Sequence, residues 1–210
     1  GGLVAMRDPE LAKRAALYAD KYYHRAGSGR DPAWLAPNYR MTELQGAVGL
    51  AQLKKLPWIC ERRHALGERL TGGLSGLPGV YPHRITEGGW SSYWFYMLRI
   101  DEQELGVTRA EFVEALRAEG IPCTEGYITR PVYCYDVLAK RQILRNSGFP
   151  LDPVFHEGTP SYGPGLCPVA EEVLSTACRL PINEFYTDQD IEDMIEALRK
   201  VALYFSARGA

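Results

Sequence analysis

Apolar residues recur at helical spacing along the first third of the chain, and each such stretch begins at a recognisable signal. Asp8-Pro9-Glu10 combines an N-cap residue, a proline in the first turn and an acid near the positive end of the helix dipole. Thr42 and Gln45 form a capping box, in which Thr42 is the cap and Gln45 reaches back to it. Pro57 interrupts the backbone hydrogen bonds, so a new helix follows it. The predicted helices cover residues 9–24, 43–53 and 58–70.

The rest of the chain alternates strand-like and helical segments. Residues 90–100 read WSSYWFYMLRI, an aromatic run rich in strand-forming residues that predicts a strand buried on both faces. Thr108 and Glu111 form a second capping box, and Gly120 suits a left-handed helix end. Shorter strands are expected at 1–6 and 121–124, and helices at 108–120, 168–177 and 187–205. This β-α-β…α-α order is typical of the α/β fold class.

Glycine and proline mark the loops and a domain boundary. They are concentrated at residues 26–37 and again at residues 71–89, which predicts two irregular segments. The second segment separates the helices of the first third from the aromatic strand. We therefore place the domain boundary there, between residues 75 and 76.

The net charge and the cysteine content exclude several classes of function. A formal net charge of −2 offers no basic field for a phosphate backbone, so nucleic-acid binding is not expected. No apolar run approaches the roughly 20 residues of a membrane span. The five cysteines are odd in number, widely spaced and without a CxxC pair, which indicates reduced thiols in a cytoplasmic protein. The four histidines lack metal-ligand spacing, so no metal site is expected. By themselves, the residues indicate an α/β domain without an assigned activity.

One segment carries a specific signature. Residues 38–45 read NYRMTELQ and continue GAVGLAQLKKL. They closely resemble the signature of the DegT/DnrJ/StrS family, whose members are pyridoxal-phosphate-dependent aminotransferases that act mainly on nucleotide-linked keto-sugars and on keto-cyclitols. Further segments follow the family order over essentially the whole chain: GGLVAMRDPELAKRA at 1–15, EGIP at 119–122, GY at 126–127 with Pro131 and Tyr133, GLCPVAE at 165–171 and LPINE at 180–184.

The resemblance implies the C-terminal portion of a fold-type-I transferase that depends on pyridoxal 5'-phosphate. Residues 1–75 correspond to a remnant of the large cofactor domain with the connecting helix, and residues 76–210 to the small C-terminal α/β domain. The resemblance also implies that the Schiff-base lysine, the acid that pairs with the pyridinium nitrogen and the aromatic that stacks on the ring lie before Gly1. No catalytic residue is therefore assigned, and the 210-residue chain is expected to be inactive alone.

The resemblance assigns four binding residues. Asn38 matches the asparagine that reaches the cofactor phosphate of the neighbouring subunit, and an amide N–H can donate to a phosphate oxygen; alternatively, Asn38 only caps the chain before the helix. Arg40 is expected to pair with a substrate phosphate or with Glu43. Tyr127 and Tyr133 either line the substrate entrance or pack within the small domain. Many family members have a histidine near the position of Tyr133, so this departure leaves the sugar contacts open.

The implied reaction transfers an amino group from glutamate or glutamine to a nucleotide-linked keto-sugar or a keto-cyclitol, in a homodimer with shared active sites. The helix at 43–53 fits a subunit contact or a buried position, because its small residues let another backbone come close. Two alternatives stay open: the dehydratase branch of the family, which replaces the lysine by histidine, and a non-catalytic binding or regulatory protein with this fold. The position that separates lysine from histidine lies outside this sequence.

Overall fold

A computed structural model of the chain describes residues 1–25, 31–144, 147, 149–155, 157–158 and 161–209. The chain divides between Trp58 and Ile59 into two units, here called unit 1 (residues 1–58) and unit 2 (residues 59–210). This division lies earlier in the chain than the predicted boundary at 75/76. Part of the predicted loop at 26–37, namely residues 26–30, and the histidine at position 156 lie outside the described residues.

Unit 1 is built on two helices whose starts match the predicted caps. Helix α1 (Pro9–Ala19) begins at Asp8, whose carboxylate accepts from the amide of Glu10 at 2.8 Å. Helix α2 (Glu43–Leu53) begins at a complete capping box: the Gln45 amide donates to Thr42 Oγ1 at 3.3 Å and the Thr42 amide donates to Gln45 Oε1 at 2.9 Å. The predicted starts are therefore confirmed, although α1 ends well before residue 24.

Unit 1 buries none of its described side chains. Residues 1–6, expected to form a strand, form none, because no described partner strand lies beside them. The apolar side chains of α2 are also exposed; Leu44 is 81% exposed and Val48 is 61% exposed. The expectation that α2 is buried is therefore wrong for this chain, whereas a subunit contact at α2 stays a prediction.

Unit 2 contains a three-stranded antiparallel sheet in the order β1-β2-β3, covered by helices. Its strands are β1 (Val80–Tyr81), β2 (Phe95–Ile100) and β3 (Ala177–Pro181). Its helices are α3 (Leu56–Leu74, starting at the end of unit 1), α4 (Glu102–Leu105), α5 (Arg109–Ala118), α6 (Asp136–Ala139), α7 (Pro168–Thr176) and α8 (Asp188–Gly209), with a 3-10 turn at Val132–Cys134.

The side chains of the central strand β2 alternate between a buried face and a half-exposed face of the sheet. Tyr96, Leu98 and Ile100 are fully buried, while the residues between them are only partly covered. The buried face packs on a core supplied by α3, α5 and α8: Leu66, Leu70, Leu74, Phe112, Val113, Leu116, Ile191, Ile195 and Leu198 are among its members. The predicted strand at 90–100 is thus shorter than expected and is buried on one face, in the alternating pattern of an antiparallel sheet.

Several predicted elements of unit 2 are confirmed and two strands were not expected. Thr108 and Glu111 form a complete capping box at the start of α5, and Gly120 has a left-handed φ of +85°. The predicted strand at 121–124 is reduced to one bridge, between Thr124 and Arg179. Strands β1 and β3 were not predicted. Strand β1 has only two residues and lies inside a glycine-rich segment, and strand β3 follows directly on α7.

Helix α3 approaches the chain before β2 closely at one glycine. A Cβ atom built on Gly67 would overlap the ring of Tyr93, which is 2% exposed. The Tyr93 hydroxyl donates to Glu68 Oε1 at 2.6 Å, so the ring is held in place and has little freedom to move away. Gly72, in the same helix, has nothing within 4 Å of its Cβ position.

These two glycines predict opposite effects of the same substitution. Gly67→Ala should lower the free energy of unfolding by about 1–3 kcal/mol, because the added methyl group overpacks the Tyr93 contact. Gly72→Ala should raise the free energy of unfolding by about 0.5–1 kcal/mol, since alanine is the better helix former where space is open. Urea unfolding of both variants measures this, and equal shifts in the two variants would contradict the packing argument.

Candidate functional site

Asn38 lies on a short extended segment that is tied to the end of α1. Asp20 and Asn38 form an isolated antiparallel bridge, and the Tyr39 amide donates to the Ala19 carbonyl at 2.7 Å. The backbone on both sides of Asn38 is therefore fixed by hydrogen bonds to residues that directly follow or end the helix. These hydrogen bonds fix the position of the backbone atom from which the Asn38 side chain extends.

The Asn38 side chain keeps most of its hydrogen-bonding capacity available for a ligand. Its Oδ1 accepts from the Arg40 amide at 3.4 Å, which is long for an N–H···O hydrogen bond. Its amide nitrogen donates to no atom of the described residues. Asn38 is exposed at the edge of a cavity of about 750 Å³. The cavity is lined by Gly1–Val4, Met6, Ala12, Ala15, Ala16, Ala19, Asn38–Met41 and Gln45.

Beside this cavity one carboxylate is surrounded by three cations. Asp20 accepts from Arg25 Nη2 at 2.9 Å and from Lys21 Nζ at 3.3 Å, and Arg40 Nε lies 3.9 Å away. The hydrogen bonds from Arg25 and Lys21 hold the pKa of Asp20 well below its usual range. The expected pairing of Arg40 with Glu43 is not found; the carboxylate near Arg40 is Asp20. Of these three cations, Arg40 also lines the cavity.

Tyr127 belongs to an aromatic cluster on the half-exposed face of the sheet. Its ring stacks on Phe95 with a centroid distance of 5.4 Å and an interplanar angle of 20°, and it meets the edge of Trp94 at 5.5 Å. The guanidinium of Arg179 lies 5.7 Å from its ring centroid. Tyr127 packs, and 54% of its surface still remains exposed.

Tyr133 links the 3-10 turn to the start of α7. Its hydroxyl donates to Glu171 Oε1 at 2.7 Å, and the Gly165 amide donates to the same oxygen at 2.7 Å. Partial burial and the Glu171 carboxylate raise the pKa of Tyr133 to about 12. The hydrogen bonds from Tyr133 and Gly165 lower the pKa of Glu171. Tyr133 is therefore a neutral donor whose hydroxyl is already engaged.

The predicted residues form two groups. Asn38 and Arg40 share the cavity of unit 1, whereas Tyr127 and Tyr133 lie in unit 2, where they contact different residues. Glu171 lies in the GLCPVAE segment that follows the family order but was given no role, and no sequence pattern singled out Arg179. Asp20 carries a signal only once α1 is known to end at Ala19, because an acid at the C-terminal end of a helix is disfavoured by the helix dipole unless cations lie nearby.

Neither a cluster of metal-ligating side chains nor a membrane-spanning helix is found among the described residues. No group of three or more histidine, cysteine, aspartate or glutamate side chains among them is placed to hold a metal ion. None of the helices in the described ranges is long and apolar enough to cross a membrane.

Comparison with known proteins relates this geometry to one family. The sequence model of the DegT/DnrJ/EryC1/StrS aminotransferase family matches residues 1–199. The chain is 27% identical to the spore coat polysaccharide biosynthesis protein SpsC of Bacillus subtilis (strain 168), over 96% of this chain and 49% of SpsC. The chain thus spans about half the length of the curated relatives that it matches.

Solved structures share the fold. S. venezuelae DesV matches with a TM-score of 0.69 and 24% identity, over 93% of this chain and 45% of DesV. Helicobacter pylori PseC, an aminotransferase involved in the biosynthesis of pseudoaminic acid, matches with a TM-score of 0.69 and 19% identity, over 95% of this chain and 48% of PseC. The predicted fold class, α/β and part of the fold-type-I architecture, is confirmed.

The Tyr133–Glu171 contact predicts a measurable shift in titration. Tyr133→Phe removes one of the hydrogen bonds that stabilise the Glu171 carboxylate, so the pKa of Glu171 should rise towards its ordinary value while the Gly165 amide keeps part of the shift. Tyr127→Phe is the control, because Tyr127 contacts Phe95, Trp94 and Arg179 through its ring. Carboxyl titration by NMR measures both variants, and an unchanged Glu171 in Tyr133→Phe would refute the contact.

Proposed function

Because the chain belongs to the DegT/DnrJ/EryC1/StrS aminotransferase family, we propose that it is the C-terminal half of a pyridoxal-phosphate-dependent aminotransferase. The reaction proposed is transfer of an amino group from glutamate or glutamine to a nucleotide-linked keto-sugar or a keto-cyclitol. The observation that carries the proposal is the cavity of unit 1, where the Asn38 amide nitrogen and the Arg40 guanidinium lie together. The names of SpsC, for polysaccharide biosynthesis, and PseC, for pseudoaminic acid biosynthesis, support a sugar as the acceptor.

The residues of unit 1 fit the phosphate end of the cofactor. A phosphate needs N–H donors and positive charge, and Asn38 offers an amide nitrogen without an acceptor among the described residues, beside Arg40 and its neighbouring cations. When bound, pyridoxal phosphate would supply an electron-withdrawing ring as electron sink and a carbonyl carbon that carries the amino group from donor to acceptor. The lysine that holds it is proposed to precede Gly1, so the 210-residue chain is inactive alone.

In this proposal Arg40 and Tyr127 face the reactants, whereas Tyr133 has a positioning role. Arg40 pairs with a phosphate of the substrate. Its guanidinium is available for this pairing because its Nε lies 3.9 Å from Asp20, which is a loose ion pair. Tyr127, more than half of whose surface is exposed, lines the substrate entrance. Tyr133 contributes by fixing the start of α7 through Glu171.

The complete enzyme is proposed to be a homodimer in which Asn38 reaches the cofactor phosphate of the neighbouring subunit. Helix α2 supports this, because its exposed side chains and Gly46 and Gly49 line an open apolar cavity of about 880 Å³ within unit 1. An apolar surface of this kind is an association site or an aggregation liability. The free state of all five cysteines supports a cytoplasmic location.

The absorbance spectrum of the complete protein tests the reaction class. With pyridoxal phosphate added, a cofactor band that changes on addition of glutamate and returns on addition of a keto-sugar supports amino transfer. A cofactor band that glutamate leaves unchanged, with loss of a hydroxyl group from the sugar, indicates the dehydratase branch. Absence of cofactor binding indicates a non-catalytic protein.

Asn38→Ala tests the site assignment in the complete protein. We expect the dissociation constant for pyridoxal phosphate to rise about tenfold or more, as for a lost hydrogen bond to a charged group, while the dimer persists. Asn183→Ala is the matched control: Asn183 Oδ1 accepts from the Phe185 amide at 2.9 Å, the same turn that Asn38 makes with Arg40. Cofactor binding and sedimentation measure both variants, and equal affinities would remove Asn38 from the site.

A further inference from the structure

Arg179 lies on the half-exposed face of the sheet, in the middle of β3. Its register partner on β2 is Met97, and directly paired residues of an antiparallel sheet share a face. The backbone of Arg179 is doubly tied to Thr124, whose amide donates to the Arg179 carbonyl at 3.0 Å and whose carbonyl accepts from the Arg179 amide at 2.8 Å. The side chain therefore starts from a rigid position.

Two aromatic rings hold the Arg179 guanidinium. It lies 5.9 Å from the ring centroid of Phe95 and 5.7 Å from that of Tyr127, and the two rings are themselves stacked. Trp94 closes the cluster against Tyr127. These contacts are cation–π interactions, which orient the planar guanidinium without using any of its hydrogen-bond donors.

The charge of Arg179 lacks a partner within the described residues. Its Nε is buried without a hydrogen-bond partner, and no described carboxylate lies within ion-pair distance of its guanidinium. Arg99, on the same face, shows the usual arrangement, because it donates to Thr176 Oγ1 at 2.8 Å and pairs with Glu172. A half-buried cation without a counter-ion is costly, so an anion from outside the chain fits this position.

We propose that Arg179 binds an oxyanion of one of the two reactants, either the carboxylate of the amino donor or a phosphate of the nucleotide-linked sugar. The inference rests on the proposed function and adds a binding residue that the family signature does not assign. The terminal nitrogens of a guanidinium donate in parallel to two oxygens, which is the geometry that both groups offer. The stacked rings orient this fork in advance, so little rotamer entropy is lost on binding.

The cluster also gives Tyr127 a definite role. Its ring forms one wall of the Arg179 position while more than half of its surface stays exposed. Trp94 is 67% exposed beside it. A reactant whose oxyanion pairs with Arg179 therefore lies against Tyr127 and Trp94. This reconciles the two alternatives expected for Tyr127, because the same ring packs and faces the reactant.

The test uses the complete protein and two probes, L-glutamate and uridine or thymidine diphosphate, with binding measured by calorimetry. Arg179→Met removes the charge and keeps the length of the side chain, and Arg179→Lys keeps the charge but loses the fork. Arg99→Met is the control on the same face, because Arg99 is already neutralised by Glu172. Melting temperatures identify any variant that fails to fold, in which case Arg179→Lys alone decides the result.

We expect Arg179→Met to raise the dissociation constant of one probe at least tenfold, Arg179→Lys to raise it less, and Arg99→Met to leave it within twofold. Loss of glutamate binding identifies the carboxylate, and loss of nucleoside diphosphate binding identifies the phosphate. If the unaltered protein binds the probes and both Arg179 variants bind them equally well, the inference is wrong and the proposed function stands. If the unaltered protein binds neither probe and transfers no amino group, both are overturned.

Discussion

The alternation of side chains along β2 determines how unit 2 is organised. Tyr96, Leu98 and Ile100 point into the core, and each is essentially inaccessible to water. The same backbone must then place Phe95, Met97 and Arg99 on the opposite face, since successive residues of a strand alternate. A change of register by one residue would bury Arg99 and expose the core side chains. The hydrophobic core therefore holds in place the face that carries Arg179 and the aromatic cluster.

Local chemistry was readable from the sequence, whereas long-range pairing was not. The caps at Asp8, Thr42 and Thr108 involve residues two or three positions apart, so their patterns identify helix starts directly. Strand β3 depends on β2, which lies far away in the chain, and five residues including arginine and proline carry little strand signal of their own. The register of such a pair is set by burial, which a single sequence does not record.

The candidate site shows the same limit. The signature around Asn38 was specific enough to identify the family, and the family then supplied Arg40, Tyr127 and Tyr133. The partners that decide what those residues can do come from elsewhere in the chain: Asp20 for Arg40, and Arg179 for Tyr127. A sequence shows that an arginine is present, but only a structure shows whether a carboxylate already neutralises it. This difference separates Arg99, which is paired, from Arg179.

The unequal distribution of buried side chains determines which parts of the chain unfold locally. Among the described residues, the buried hydrophobic side chains begin at Leu66, so α1 and α2 rest on caps, short hydrogen-bonded segments and partly covered contacts. Helices of 11 residues without buried contacts are marginal in water. Their amide hydrogens will exchange with solvent through local openings, while those of β2 await global unfolding. The segment that carries the family signature therefore lies in a described part of the chain without buried side chains, and its order is sensitive to whatever binds to it.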